Sequence, residues 1–189
     1  MNNQIIVFIN GHAGVGKDTF VKYCTPYAWE RNCFVYNFHR SDEPKKAMKM
    51  IGWDGEKDEE SRTLLKEMVD YMESRGTLNR ILDKKLASAS QQFEQFIIFY
   101  HVRDPEVMYG LMDEYIDREN VRPISLLVKR SLPHPEEPND WWDIEGAEYT
   151  MTLQLPENDL EKTQEAAVAF IDFLLDSNFK VVKQEDNNE

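Results

Sequence analysis

The sequence lacks long apolar runs, a cationic start and a cysteine framework, and each absence excludes a class of protein. No apolar stretch approaches the roughly 20 residues that span a bilayer, and the first residues carry no cationic signal region. The two cysteines, Cys24 and Cys33, have neither metal-ligand spacing nor the density of a disulfide scaffold. We therefore expect a cytoplasmic protein with no membrane partner.

Positive charge is also scarce. The 189 residues include 22 Lys and Arg against 35 Asp and Glu, which gives a formal net charge of −13. Coating nucleic acid requires a basic surface, so we expect no nucleic-acid partner, and any phosphate site must be a local pocket. Hydrophobic residues make up 41% of the chain, enough for the core of one domain over residues 1–189, as a monomer or a homodimer.

Apolar runs alternate with helical stripes along the chain. Strands are predicted at 4–10, 33–38, 96–102, 124–128 and 149–155. Helices are predicted at 17–30, 44–51, 58–74, 78–92 and 105–116, and a last one begins with an Asn158–Glu161 capping box and buries Leu160. The proline- and tryptophan-rich segment 131–146 is predicted to be a surface loop. This alternation indicates an α/β protein with a mainly parallel five-stranded sheet between two helical layers, a three-layer α/β/α fold.

A glycine-rich segment joins the first strand to the first helix. It matches the P-loop pattern G-x-x-x-x-G-K and reads Gly11-His12-Ala13-Gly14-Val15-Gly16-Lys17-Asp18-Thr19. Glycines let backbone N–H groups curl around phosphate oxygens, and the helix start adds positive potential. Lys17 is expected to reach the β- and γ-phosphates of ATP and Thr19 to contact a phosphate. Asp18, where Ser or Thr is usual, is expected to hold Mg²⁺ directly or through water.

The residues around the third predicted strand narrow the class of P-loop protein. That strand ends Tyr100-His101-Val102-Arg103 without the acid of a Walker B motif, and the Asn-Lys-x-Asp segment of a GTPase is absent from the chain. Asp104 precedes Pro105 and Glu106, a pattern typical of a helix N-cap. A metal ligand is the alternative role for Asp104.

Arginines that follow the second and third strands suggest a second anion site. Arg62 lies three residues before Leu65, at the edge of a predicted buried helix face. Arg103 follows the third strand, at the sheet edge where ligands of open α/β sheets bind. The alternative is that both form ion pairs of little energetic value, Arg62 with Asp58 or Glu59 and Arg103 with Asp104 or Glu106.

Other polar residues near these strand ends are weaker candidates. Arg40, Asp42 and Lys45 could line an acceptor pocket, and Arg130 could face a donor phosphate or base or could equally be a surface residue. The four histidines, His12, His39, His101 and His134, have no ligand spacing, so no zinc site is expected.

Three segments together resemble a known family. The G-x-x-G-x-G-K-D-T loop is similar to that of phage-type deoxynucleoside monophosphate kinases. The segment from His101 to Glu106 (HVRDPE) resembles the D-V-R-x-P-N-E segment of those enzymes and the H-I-R-E-P-E-E form of small related bacterial and phage kinases. The stretch 52–65 resembles the latter group, in which an Arg begins an R-x-x-L motif. His101 stands where many relatives have Asp.

The resemblance implies the fold, the cofactors and the roles of several residues. It implies a P-loop NTPase fold of the nucleoside monophosphate kinase type, ATP as donor, Mg²⁺, and a small-molecule (deoxy)nucleotide acceptor that contacts a helical insertion at about 40–92. Lys17 and its loop would bind ATP, and Arg62 and Arg103 would contact the acceptor or the transferring phosphoryl group.

We therefore expect a kinase that transfers the γ-phosphoryl group of ATP to a (deoxy)nucleoside monophosphate. An acceptor phosphate oxygen is already anionic, so positioning and charge neutralisation suffice without a general base. One alternative is a kinase of an alcohol-bearing metabolite, for which Asp42 or Asp104 would be the base. Another is a regulator whose P-loop binds ATP without turnover.

Overall fold

A single parallel sheet organises the computed structural model, which describes residues 3–56, 58–130, 144, 146–157 and 159–176. The strands are β1 (Asn3–Asn10), β2 (Phe34–His39), β3 (Gln95–His101), β4 (Val121–Arg130) and β5 (Met151–Leu155). Their order is β2-β3-β1-β4-β5, and every neighbouring pair is parallel. The predicted five-stranded parallel sheet is confirmed, with a longer β4 than expected.

Six helices connect and cover these strands within the described residues. They are α1 (Lys17–Glu30), α2 (Asp42–Met50), α3 (Glu59–Ser74), α4 (Thr77–Gln92), α5 (Pro105–Ile116) and α6 (Leu160–Asp176). Pro26 lies inside α1, which nevertheless continues to Glu30. Arg40 precedes α2, and the region 40–92 contains α2, α3 and α4.

The sheet is buried on both faces, which explains why its strands are almost continuously apolar. Ile5, Val7 and Ile9 of β1 pack on one face with α1 and α6. Ile6 and Phe8 pack on the other face with α4 and α5. The arrangement is the three-layer α/β/α fold that the alternation of strands and helices predicts.

Two predicted helix faces differ from the structure. All residues of α3 are described and none is buried, which corrects the buried face predicted for the helix at 58–74; Leu64 itself is 38% exposed. The cause is that α3 packs against α2 and α4 instead of the sheet. Leu160 is 58% exposed because it is the first residue of α6, ahead of the turns that face the core.

Several predictions concern residues outside the described part of the chain. These are Asn158 of the predicted capping box, His134 and most of the loop 131–146. At the start of α6 the described carboxylate of Asp159 accepts a hydrogen bond from the backbone N–H of Lys162 at 3.0 Å, which is the contact of a helix N-cap. None of the helices in the described residues is long and apolar enough to cross a membrane.

Candidate functional site

The glycine-rich loop lies between β1 and α1, as its sequence predicts. Gly11, Gly14 and Gly16 have φ angles of 137°, 79° and 95°, a region that side chains disfavour. A Cβ atom on Gly11 would lie 2.2 Å from the carbonyl oxygen of Val128 in β4. The loop therefore passes so close to β4 that only glycine fits at its first position.

Lys17 begins α1 and folds back over this loop. Its Nζ donates hydrogen bonds to the carbonyl oxygens of Gly11 and His12, at 2.5 and 2.8 Å. Gly16, the N-cap of α1, offers no side chain to cap the first backbone N–H groups of the helix. These N–H groups and the ammonium of Lys17 together form a local centre of positive potential in an acidic protein.

Arg130 adds a second cation to the same loop. It is the last residue of β4, and a Cβ atom on Gly16 would lie 3.2 Å from its Nη2. Its Nε is buried, and no other described residue accepts a hydrogen bond from it. A buried guanidinium N–H without an acceptor is costly, so an anion at the loop would satisfy it. Arg130 therefore lies at the glycine loop, while its contact with a donor phosphate or base stays a prediction.

Asn10 fixes the position of the loop, and the sequence analysis missed it. The side chain is fully buried at the end of β1. Its Oδ1 accepts from the backbone N–H of Gly11 at 2.7 Å, while its Nδ2 donates to the carbonyl oxygen of Arg103 at 3.1 Å and to the Tyr149 hydroxyl at 3.0 Å. A buried polar residue that closes an apolar strand directly before a glycine loop was the available signal.

Asp18 belongs to a polar network, here called the Asp–His cluster, which consists of Asp18, Asn37, His39 and His101. The Nε2 atoms of His39 and His101 lie 2.9 and 3.7 Å from Oδ1 of Asp18. Asn37 donates to the same oxygen at 3.2 Å and accepts from Nε2 of His101 at 2.7 Å. The two imidazole rings are stacked, with centroids 3.9 Å apart.

Two of the four histidines come together in the structure, although their spacing in the sequence gives no sign of it. His39 and His101 end the adjacent strands β2 and β3 and are direct partners in their register. One ligand-type atom each from Asp18, His39 and His101 falls within 4.8 Å of the others. Sixty-two positions separate the histidines in the sequence, so the signal was the parallel pairing of two strands and not residue spacing.

The surroundings favour a neutral His101 and an ionised Asp18. Burial, reinforced by the neighbouring His39, lowers the pKa of His101 to about 3. Burial alone would raise the pKa of Asp18, but the hydrogen bonds from Asn37 and His39 and the charge of His39 outweigh it, so this pKa is lowered. A neutral imidazole beside a carboxylate can accept a metal ion or exchange a proton with a ligand.

Among the predicted acceptor residues, Arg40 and Asp42 already have partners. The Arg40 guanidinium, with a side chain 12% exposed, pairs with Glu73 of α3, and burial lowers the pKa of Arg40. Asp42 accepts from the backbone N–H of His39 at 2.8 Å. Arg40 therefore links the end of β2 to α3, while Asp42 fixes the turn into α2.

Asp104 has the N-cap role that its sequence predicts. Its carboxylate accepts from the backbone N–H of Glu106 at 2.9 Å, and Pro105 opens α5. Asp58 likewise caps α3 by accepting from the N–H of Ser61 at 2.7 Å. Both carboxylates thus satisfy orphan N–H groups at helix starts.

Arg62, Arg103 and Lys45 present their charges without an ion pair or side-chain hydrogen bond to another described residue. The alternative pairings of Arg62 with Asp58 or Glu59, and of Arg103 with Asp104 or Glu106, do not form. Arg103 is exposed beside the glycine loop because Asn10 holds its carbonyl oxygen. Arg62 is exposed in the first turn of α3, so its expected place at the edge of a buried face is wrong.

The described geometry can accommodate a chain of phosphates along one edge of the sheet. Lys17, Arg130 and the α1 start surround the glycine loop, and Arg103 follows the neighbouring strand β3 at the same edge. Val15 of the loop is buried and anchors it, Ala13 and Gly14 are exposed, and Thr19 lies in the first turn of α1. Such a site suits a polyanion and requires no basic surface elsewhere.

No protein-family model matches this sequence, and neither does any curated protein. Similar solved structures include one natural protein and two de novo designs. A protein from Chloroflexus aurantiacus, provisionally described as a kinase, is 13% identical with a TM-score of 0.48, over 90% of this chain and 97% of that protein. A de novo designed protein with a P-loop NTPase fold is 17% identical with a TM-score of 0.35, over 89% of this chain and 90% of the design.

A second de novo design, named for a P-loop 2x3 fold, is 10% identical with a TM-score of 0.36 and covers 94% of this chain and 98% of its own. The fold assignment of this chain follows from its own strand order, its two helical layers and the loop between β1 and α1.

Proposed function

We propose that this protein is an ATP-dependent kinase that transfers the γ-phosphoryl group to a (deoxy)nucleoside monophosphate. The observation that carries the proposal is the convergence of Lys17, Arg130 and the uncapped start of α1 on one glycine loop. This local positive centre exists in a chain with a net charge of −13, which is the arrangement that a specific phosphate site requires.

The residues proposed for ATP binding can accommodate its triphosphate. Gly14 has open space where a side chain would stand, so the exposed crest of the loop allows close approach of phosphate oxygens. The Arg130 guanidinium has a buried Nε with no acceptor among the described residues. Lys17 would exchange its two carbonyl acceptors for phosphate oxygens, which bind an ammonium more strongly because they are charged.

Asp18 provides the carboxylate that Mg²⁺ prefers as a ligand, and its Oδ1, not its Oδ2, receives the described hydrogen bonds. Mg²⁺, when bound with ATP, supplies charge neutralisation to the transferring group. Asp18 would hold the ion directly or through water, and Thr19 would offer its hydroxyl to a phosphate.

Arg103 and Arg62 are the residues that we propose for the acceptor. Neither is engaged by another described side chain, so each retains a complete guanidinium for bidentate binding of a phosphate. Arg103 lies beside the donor loop and would neutralise the transferring phosphoryl group. Arg62 and Lys45 would approach the acceptor from α3 and α2, and Arg40 would position α3 through Glu73.

A phosphate acceptor agrees with the roles of the nearby carboxylates. Asp42 and Asp104, the two candidates for a general base, each accept a backbone N–H. A phosphate oxygen needs no base, since it is already anionic and needs only in-line positioning and charge neutralisation. These hydrogen bonds support a phosphate-bearing acceptor over an alcohol-bearing one.

An ADP-release assay tests this proposal. The purified protein would be incubated with ATP, Mg²⁺ and each common ribo- and deoxyribonucleoside monophosphate in turn. We expect ADP release that depends on one acceptor or a small group of them, and that is lost in Lys17→Ala but retained in Lys22→Ala, an exposed lysine on the same helix. ATP binding without ADP release for any acceptor would instead support a regulator.

A further inference from the structure

We propose that Asp18, His39 and His101 bind a divalent first-row transition-metal ion, specifically Zn²⁺, through Oδ1 of Asp18 and two imidazole nitrogens, which leaves Oδ2 of Asp18 for the Mg²⁺ of the proposed function. The three residues come from the start of α1 and from the ends of β2 and β3, and they lie at the edge of the sheet that carries the glycine loop. The site forms from the protein alone and requires no nucleotide.

The distances between the potential ligand atoms match a metal site. In tetrahedral coordination with bonds of about 2.0–2.1 Å, neighbouring ligand atoms are separated by about 3.3 Å. The two Nε2 atoms lie 2.9 Å (His39) and 3.7 Å (His101) from Oδ1 of Asp18. Shifts of a few tenths of an ångström bring both pairs to the separation that a bound ion imposes.

The backbone positions the imidazoles before any ion arrives. His39 and His101 are register partners at the ends of two hydrogen-bonded strands, so their side chains emerge on the same face. Their rings are stacked with an interplanar angle of 18°, so one ring must turn before both Nε2 lone pairs point at one ion. His101 is 7% exposed, so the residues packed around it restrict the orientation of its imidazole. Preorganisation of this kind reduces the ordering that binding requires.

Metal binding has an identifiable cost. Nε2 of His101 donates to Asn37 and Nε2 of His39 donates to Asp18, so both protons must move to Nδ1 before the lone pairs are available. No acceptor for Nδ1 of His101 lies among the described residues. One unpaired buried N–H is a small penalty beside the free energy of bonds between imidazoles and Zn²⁺, so the balance favours binding.

The donor set selects the kind of ion. Imidazole nitrogen suits zinc and its neighbours in the first transition series, whereas Mg²⁺ prefers oxygen ligands and keeps several waters. A site with two nitrogens and one oxygen should therefore prefer Zn²⁺ even in a large excess of Mg²⁺. One carboxylate and two histidines leave at least one coordination position for water or a phosphate oxygen.

Titration of the metal-free protein with Zn²⁺ by calorimetry tests the proposal, in an excess of Mg²⁺ and without nucleotide. We expect one saturable equivalent of Zn²⁺ in the unaltered protein, and affinity lower by about 100-fold or more in His39→Asn, in His101→Asn and in Asp18→Asn. His12→Asn is the matched control, because it removes an imidazole from the same loop region without touching the three ligands, and its affinity should be unchanged.

A spectroscopic measurement identifies the ligands. Co²⁺ bound in place of Zn²⁺ should give a visible d–d absorption. This absorption should disappear when Zn²⁺ displaces the Co²⁺, and it should be absent from His39→Asn. His39 is partly exposed, so this variant remains informative if the buried His101 variant fails to fold. Asn37→Ala, which removes a competitor for Nε2 of His101, should bind Zn²⁺ as tightly as the unaltered protein or more tightly.

Two results would overturn the proposal: no saturable Zn²⁺ binding by the unaltered protein, or equal affinity in the His39, His101 and Asp18 variants and their control. Equal affinity would mean that Zn²⁺ binds elsewhere on this acidic chain. Because the titration contains no ATP, its result is independent of the ADP-release assay, and either proposal can fail without the other.

Discussion

The cations proposed for the donor and the arginine proposed for the acceptor on α3 are held in different ways. Lys17 and Arg130 belong to segments that continue directly from the central strands, and the loop between them is fixed by Asn10 and by the close approach of Gly11 to β4. Arg62 belongs to α3, none of whose residues is buried. Arg40, which follows β2, pairs with Glu73 of α3 and so links this helix to the end of the strand.

This difference predicts how each side responds to substitution and to substrate. A segment embedded in a core opens only with a large part of the protein, whereas a helix with few buried apolar contacts opens at lower free energy. The donor loop should therefore be rigid and should tolerate few substitutions. Helix α3 should tolerate substitutions and should shift its position when an acceptor binds. Four predictions test that contrast.

The largest expected effect is on catalysis at the donor loop. Lys17→Ala removes the ammonium proposed to neutralise the transferring phosphoryl group, so ADP release should fall by about 10³-fold. The fold should remain intact, because Lys17 is not part of either core cluster. Steady-state kinetics and circular dichroism check both statements, with Lys22→Ala as the control. A loss of less than about tenfold would contradict the donor role of Lys17.

The second prediction concerns stability at the same loop. Gly11→Ala forces a Cβ atom against Val128 and a side chain into a φ of 137°, so the free energy of unfolding should fall by about 3 kcal/mol. Gly110→Ala is the matched control, since Gly110 lies in α5 with open space around its Cβ position, and it should gain about 0.5–1 kcal/mol. Urea denaturation measures both; equal changes would show that the loop is not sterically fixed.

Much of the rigid part of the molecule could be predicted from sequence. The runs that became β1 and β3 are apolar because both faces of the sheet are covered, and the loop pattern specifies its own turn. The N-cap at Asp104 was also predicted, because capping depends on neighbours a few residues away. Local rules succeed where the relevant partners are close in sequence.

The sequence failed where the answer depends on which elements become neighbours. An apolar stripe on a helix becomes a buried face only where the helix packs on a core. Helix α3 packs on α2 and α4 instead, so the prediction from its stripe was wrong. The Asp–His cluster depends on the pairing of β2 with β3, which spacing between histidines cannot reveal. The position of Asn10 before the glycine loop was a local signal, but its contacts with Arg103 and Tyr149 depend on elements distant in sequence.

The third prediction concerns the acceptor side. Arg62→Ala should raise the KM for the acceptor by about 10-fold and leave the KM for ATP unchanged, because its guanidinium is proposed to grip the acceptor phosphate alone. Lys66→Ala, one turn further along α3 and also exposed, is the matched control and should change neither constant. If both variants behave alike, α3 contributes only general charge and the acceptor contact lies elsewhere.

The smallest effect should come from the ion pair between Arg40 and Glu73, which links α3 to the end of β2. Glu73→Gln removes the carboxylate that faces the mostly buried Arg40, so the free energy of unfolding should fall by about 1 kcal/mol. Glu67→Gln, exposed on the same helix, should change it by less than about 0.5 kcal/mol. Hydrogen exchange should show faster opening confined to α3. Faster exchange in the donor loop as well would mean that the loop and α3 open as one cooperative unit.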